Sequence, residues 1–159
     1  MSISIHIHED DWGLRNLYPV AALGAAAADV DEAARSGREN IAPDGIGWTN
    51  VHVIRAPSVD FTSTGLSVAA LGLRLQAIMP RIRRFVATAT AGFSGDRRDP
   101  YGSYDDDAWC FGFDAGCFLK LEISGDLVRH VWFEARPAGP QQLAALRRAI
   151  ETVDAHAEA

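Results

Sequence analysis

Two histidines near the start of the chain, His6 and His8, have the spacing of metal ligands on a β-strand. Alternate residues of a strand project from one face, so these imidazoles stand about 6.5–7 Å apart and can reach the same ion. Glu9 or Asp10 could act as a base beside them, and His52 could join from a neighbouring strand. Such a site would make the chain a metal-dependent hydrolase. The alternative is a pair of solvated histidines with no metal or other cofactor, which we expect.

A further histidine, His130, is predicted to lie on the core side of a strand, opposite Leu121. There it could be an acid-base group lining a pocket between helices and sheet, with Trp132 beside it. That arrangement would suit a carrier of a small ligand. The alternative is a neutral core histidine hydrogen-bonded to a backbone or carboxylate group.

Motifs for nucleophilic or nucleotide chemistry are absent from the sequence. It contains no Gly-x-Ser-x-Gly elbow, no Walker phosphate loop and no dinucleotide-binding glycine pattern. The two cysteines, Cys110 and Cys117, are predicted on opposite faces of a sheet, so we expect reduced thiols and no mutual disulfide. Without a catalytic motif, the sequence favours a role in binding over a role as an enzyme.

The longest segment without periodicity spans residues 93–107, and ordered loops of that length are often functional. Tyrosines next to carboxylates suit recognition of a basic protein surface. The alternative is an acidic loop that keeps one end of the sheet soluble. The candidate residues for binding a partner in this loop are Tyr101, Tyr104, Asp105, Asp106 and Asp107.

Residues 108–134 predict three consecutive antiparallel strands. Gly125 and Asp126 form a two-residue turn, with glycine where positive φ is needed. In the resulting register Glu122 faces Arg129 and Phe118 faces Phe133, pairs that each stabilise a ladder by about 0.2–1 kcal/mol. The preceding turn, 114–116, is predicted to place Gly116 in the left-handed conformation.

Alternation along these strands predicts a core face and a mostly polar face. The core face is predicted to collect Trp109, Phe111, Phe113, Cys117, Leu119, Leu121, Ile123, Val128 and Trp132. On the polar face, Phe118, Val131 and Phe133 form an apolar island next to Arg129. An open sheet face should not carry such an island unless something covers it. A partner or a second copy could do so; alternatively the rings shield each other or a loop folds over them.

The rest of the chain predicts strands at 2–8, 48–55 and 84–91. Helices are predicted from about 12 to 36, with a late start after Pro19, from 66 to 79, and from Pro140 to near the end, where the apolar stripe is clear. We therefore predict an α+β domain spanning 1–159. It has one mixed, mostly antiparallel sheet of about six strands in the order β-α-β-α-β-β-β-β-α, with three helices on one face.

Composition limits the partners. The chain has 159 residues and a net charge of −6, which argues against nucleic acid and permits a basic protein partner. No apolar run is long enough to span a bilayer, and no signal segment opens the chain, so we expect a cytoplasmic protein.

These observations predict a small protein that binds another protein or its own twin through the open sheet face and the 93–107 loop. An immunity-type partner that neutralises a toxin has this acidic, motif-free profile.

Overall fold

The computed structural model describes residues 4–8, 15–54, 58–88, 99–100, 102–136 and 138–157. The α+β class is confirmed, but the single sheet of about six strands is wrong. In the described residues the strands form one sheet of three and another of five. The chain divides into two compact units, residues 18–60 and residues 1–17 with 61–159. That the chain is one domain stays a prediction.

The helices are α1 (Val20–Glu39), α2 (Val68–Gln76) and α3 (Pro140–Ala157). The strands are β1 (Ser4–Ile7), β2 (Asn16–Leu17), β3 (Arg81–Ile82), β4 (Arg84–Ala87), β5 (Ser103–Asp105), β6 (Trp109–Asp114), β7 (Cys117–Ser124) and β8 (Leu127–Ala135). The smaller sheet has the order β1-β4-β5, with β1 and β4 parallel. The larger sheet is antiparallel and has the order β2-β8-β7-β6-β3.

Local chemistry sets the helix ends. Pro19 precedes α1 with φ of −60°, and its carbonyl accepts the first turn's bond from the Ala22 N–H. The Ser67 hydroxyl caps α2 by accepting from the Ala70 N–H. Proline suits the first turn of α3, because that turn needs no donor from its N–H. The late start of α1 and the helix from Pro140 are confirmed.

The turn between β7 and β8 has the predicted conformation, with Gly125 at φ of 60°. Ile123 pairs with Val128 as predicted, but Glu122 then pairs with His130 because a bulge inserts Arg129. Every later residue of β8 is therefore shifted by one position, and the predicted pairing of Phe118 with Phe133 is wrong. Leu119 is the residue that pairs with Phe133.

The larger unit has three layers. On one face of the five-stranded sheet, β6 and β7 pack against α2 and α3 around residues such as Leu71, Leu119 and Leu146. On the other face the three-stranded sheet covers Phe118 and Trp132 with Phe85. The sheet face that the sequence suggested was open is thus an internal interface between two sheets.

Three further predictions need correction. Residues 48–54 form no strand beyond a bridge at Trp48, and the predicted 93–107 loop contains β5. Gly116 has no positive φ; its N–H instead donates to the Asp114 carboxylate at 2.8 Å, which closes that turn.

Candidate functional site

The predicted aromatic recognition surface is buried. Phe118 is 1% exposed and Val131 is fully covered. Phe133 is half-buried against the helix-side core, and Trp132 takes its place on the Phe118 side. The cause is the bulge at Arg129, which exchanges the two faces of β8 from His130 onward. Arg129 itself is exposed. This group therefore does not form a binding surface.

What covers the apolar island is the chain's own second sheet. The rings of Phe85, Phe118 and Trp132 meet edge to face, with centroids 5.3–5.5 Å apart. Aromatic pairs in this arrangement contribute about 0.5–1.5 kcal/mol each beyond their buried area. The expectation that the island must be covered was sound, but its cover is intramolecular.

The acidic residues after β5 contact arginines of the same chain. Asp107 accepts from Arg81 and Arg83, both at 3.2 Å. Asp106 lies 3.8 Å from Arg84. These contacts connect the β5–β6 turn to the segment around β3 and β4. The negative charges of Asp106 and Asp107 are therefore partly neutralised by arginines of the same chain.

Asp105 has a more internal role. Its carboxylate lies 3.4 Å from the Lys120 ammonium, whose side chain is almost fully buried. Lys120 also lies over the Phe85 ring at 5.3 Å. The Tyr104 hydroxyl accepts from the Asp99 N–H at 2.6 Å. Residues 93–98 and Tyr101, also part of the predicted loop site, lie outside the described residues.

His130 is not in the helix-side core. It is half-buried and contacts the Glu122 carboxylate at 3.4 Å, its partner across the ladder. Trp132 lies between the two sheets. The two residues predicted to line a ligand pocket are therefore held by a contact with Glu122, in the case of His130, and by ring contacts, in the case of Trp132.

His6 lies on the exposed side of β1, and His8, the residue after that strand, is also exposed. The His6 Nε2 atom lies 2.7 Å from the Thr88 hydroxyl. His52 belongs to the other unit, where it pairs with Asp29. Among the described residues, no three side chains of His, Cys, Asp or Glu are grouped to hold a metal ion. Glu9 and Asp10, the predicted bases, lie outside those residues.

Both cysteines are buried and free, on opposite sides of the larger sheet as predicted. Burial raises the pKa of Cys110 to about 12. Burial also raises the pKa of Cys117. Neither thiol has the lowered pKa of a catalytic cysteine.

The most exposed apolar residues lie elsewhere, in the unit of residues 18–60. Of the twelve large apolar side chains exposed in the described residues, nine lie between positions 20 and 54. On α1 they form a stripe at spacings of three and four, which places them on one helix face. We call this the α1 stripe; its members, all exposed, are Val20, Leu23, Ala27, Val30 and Ala34.

Another face of α1 is covered by the segment 48–54, which runs back along the helix. The Trp48 indole donates to the Gly37 carbonyl at 3.0 Å, and His52 contacts Asp29 further toward the helix start. Ile54 lines a cavity of about 460 Å³ with Tyr18 and Asp29. The covered side of α1 carries mainly small residues, while its larger side chains, Val20, Leu23 and Val30, are exposed.

The segment that contains this stripe has more acidic than basic side chains. Between residues 18 and 60 six acidic side chains stand against three arginines. The hydrogen bonds and charge of Arg35 hold the pKa of Glu32 below its usual range. Sequence reasoning predicted α1 but did not separate its faces; the spacing from Val20 to Ala34 was the available signal.

No protein-family model, curated protein or solved structure matches this chain. The helices in the described ranges all lack the combined length and hydropathy that a membrane span requires.

Proposed function

We propose that the chain is a binding protein that holds a basic protein partner on the α1 stripe. The observation that carries the proposal is the stripe itself, five apolar side chains at helical spacing that are all exposed. A soluble protein seldom leaves large apolar side chains grouped in water unless another surface meets them.

The geometry of the stripe suits a partner helix. Spacings of three and four are those of a helix-helix seam, in which larger side chains insert between neighbours on the facing helix. Ala27 and Ala34 alternate with the larger residues and leave room for the partner's side chains. An amphipathic helix laid along α1 would cover the stripe.

Charge favours a basic partner over a second copy. The chain carries a net charge of −6, so two copies repel each other at long range. A basic surface is attracted instead, and complementary charge raises the association rate. An immunity-type role, in which an acidic protein neutralises a basic one, fits this balance.

The test uses two synthetic amphipathic helices with the same leucine face. One has lysine on its polar face and the other has glutamate. We expect the full chain to bind the lysine helix at least tenfold more tightly in a calorimetric titration, which corresponds to about 1.4 kcal/mol. Because the attraction is electrostatic, added salt should weaken it.

Three outcomes contradict the proposal. Equal affinity for both helices, or no binding of either, would remove the basic partner. A concentration-dependent dimer in analytical ultracentrifugation, with no binding of the lysine helix, would make a second copy the occupant of the α1 stripe.

A further inference from the structure

In the described part of the chain, residues 50–54 have no neighbouring strand. They follow a short antiparallel contact, in which Ile41 forms a bridge with Trp48 and the Thr49 N–H donates to the Asn40 carbonyl at 2.8 Å. The positions that would continue this ladder before Asn40 lie in α1, whose helical backbone cannot form a strand ladder. The ladder therefore ends at Thr49, and the chain continues beyond it without a partner.

The contacts with α1 show that this segment is extended. The Trp48 indole donates to the Gly37 carbonyl, and His52 contacts Asp29. The helix between Asp29 and Gly37 rises about 12 Å. The chain between Trp48 and His52 advances about 13 Å when extended. The two lengths agree, so this stretch runs along the helix as a strand would. Ile54 continues the path, because it lines the cavity beside the amino-terminal half of α1.

The backbone edges of this segment can accept a further strand. Within the ranges that the structure describes, the N–H and C=O groups of His52, Val53 and Ile54 make no hydrogen bond with another residue of the chain. The Val51 N–H is bonded only by the neighbouring Asn50 side chain, at 3.0 Å. A row of such groups is a template for pairing with another chain.

The side chains suit a strand as well. Val51 and Val53 are 63% and 67% exposed, and Ile54 is also exposed. β-branched residues favour strands. Natural sheet edges usually carry lysine or proline, which discourage pairing with other chains. The sequence of residues 51–54, Val-His-Val-Ile, contains neither. This edge therefore lacks the usual protection against strand addition.

From these observations we propose that residues 50–54 bind an extended strand of a basic protein, which adds to their edge. In complexes of this kind, main-chain hydrogen bonds give affinity and alternate side chains give specificity. The choice of a basic partner rests on the proposed function, and the same unit has six acidic side chains against three arginines. The strand edge is a contact additional to the α1 stripe.

The test uses two synthetic peptides of about eight residues in which valine alternates with lysine. The second peptide carries N-methyl groups on two adjacent central residues, which removes an N–H from each of its edges. We expect the first peptide to bind the full chain about tenfold more tightly in an NMR titration, because only it can complete a ladder. Its binding should also slow amide hydrogen exchange at residues 52–54.

Proline variants locate the edge in the chain. Neighbouring N–H groups of a strand point to opposite edges, so Val53→Pro blocks one edge and Ile54→Pro blocks the other. One of the two should weaken binding of the first peptide about tenfold. Val53→Thr and Ile54→Thr keep the N–H group and the branched side chain, so they are matched controls and should bind like the parent chain. The N-methyl comparison needs no variant, so it decides even if a proline variant unfolds.

The outcomes separate this inference from the proposed function. Equal affinity for the two valine-lysine peptides, or unchanged affinity in both folded proline variants, would overturn the strand edge, while binding of the lysine-faced helix to the α1 stripe would stand. Equal binding of a third peptide, with glutamate in place of lysine, would overturn the basic partner in both proposals. A dimer of the parent chain that a proline variant abolishes would make a second copy the occupant and overturn the choice of partner.

Discussion

At the scale of single residues, the ion pair between Lys120 and Asp105 joins the two sheets. Lys120 lies on β7 of the larger sheet, and Asp105 lies on β5 of the smaller one. A buried ammonium group requires compensation, which the carboxylate and the Phe85 ring provide. Asp105 was predicted to bind a partner, but in the structure it makes a contact within the chain that joins the two sheets.

Replacing Asp105 with asparagine should therefore destabilise the protein. We expect a loss of about 2–3 kcal/mol in the free energy of unfolding, because the substitution removes the negative charge that lies 3.4 Å from the buried Lys120 ammonium. Urea denaturation measures the loss. Asp106→Asn is the matched control, since its pair with Arg84 is exposed and should change stability by less than about 0.5 kcal/mol. Equal losses in both variants would refute the internal role of Asp105.

The thiol of Cys110 should resist alkylation in the folded protein. Its pKa is raised from 9.0 to about 12 by burial, so little thiolate exists in the native state at pH 9–10. An unfolded chain loses this proton near pH 9, so stability falls as the pH rises from there toward 12. Iodoacetamide labelling with mass spectrometry, with and without urea, checks the protection. Rapid labelling of the native chain at Cys110 would contradict it.

At this scale the sequence correctly predicted the turn between β7 and β8. The turn at Gly125 and Asp126 follows from the glycine's tolerance of positive φ. The bulge at Arg129 does not follow from local pattern, because it is favoured by burial of Trp132 against Phe85, more than forty positions away. A shift of one residue then exchanged the faces of β8.

At the scale of elements, α2 lies unusually close to β6 at Gly72. A Cβ atom at that glycine would come within 2.4 Å of the Trp109 ring. The other participant is Arg81, whose guanidinium lies 3.9 Å from the centroid of the same ring. The indole is thus held between a helix backbone and a cation.

Gly72→Ala should destabilise the protein even though alanine favours a helix. We expect a net loss of up to about 2 kcal/mol, because overpacking costs about 1–3 kcal/mol and helix propensity returns about 1 kcal/mol. Gly24→Ala in α1, where a Cβ atom meets nothing within 4 Å, is the control and should stabilise its helix. Thermal unfolding of the two variants gives the comparison, and a stabilised Gly72→Ala would contradict the close packing.

The elements that sequence predicted well have strong periodicity, such as α3. Residues 48–55 alternate like a strand, yet the described part, 48–54, lies along α1 through the bonds of Trp48 and His52. Alternation alone cannot supply the neighbouring strand that a ladder needs. The three residues of β5 are too few to show a period, so their sequence pattern predicts a loop.

At the scale of the whole molecule, an element from each of the two units differs in how many of its side chains are buried. Within α1 only Ala22 and Ser36 are buried, whereas β7 is buried along most of its length. Local stability follows buried contacts, so the amides of α1 should exchange hydrogen faster than those of β7. Hydrogen exchange with mass spectrometry checks this, and equal protection in both elements would contradict it. A bound partner should slow exchange in α1 selectively.

The net charge and the absence of catalytic motifs are properties of the whole sequence. Acidity and the absence of catalytic motifs suggested a binding protein, and that proposal remains. The sequence contains the spacing from Val20 to Ala34, but it could not show that Phe118 is covered, because that depends on which face of the larger sheet the smaller sheet covers. The structure shows that Phe118 is buried between the two sheets, whereas the large apolar side chains of the α1 stripe are exposed.

The most direct test of this account compares two leucines on two helices. Leu23 lies in the α1 stripe, and Leu73 is an exposed leucine on α2. Both substitutions to glutamate should leave the fold intact, because both positions are on the surface. We predict that Leu23→Glu binds the lysine-faced helix at least tenfold more weakly than the parent chain, while Leu73→Glu binds it equally well. The same affinity in all three proteins, or a larger loss for Leu73→Glu, would contradict a binding role for the α1 stripe.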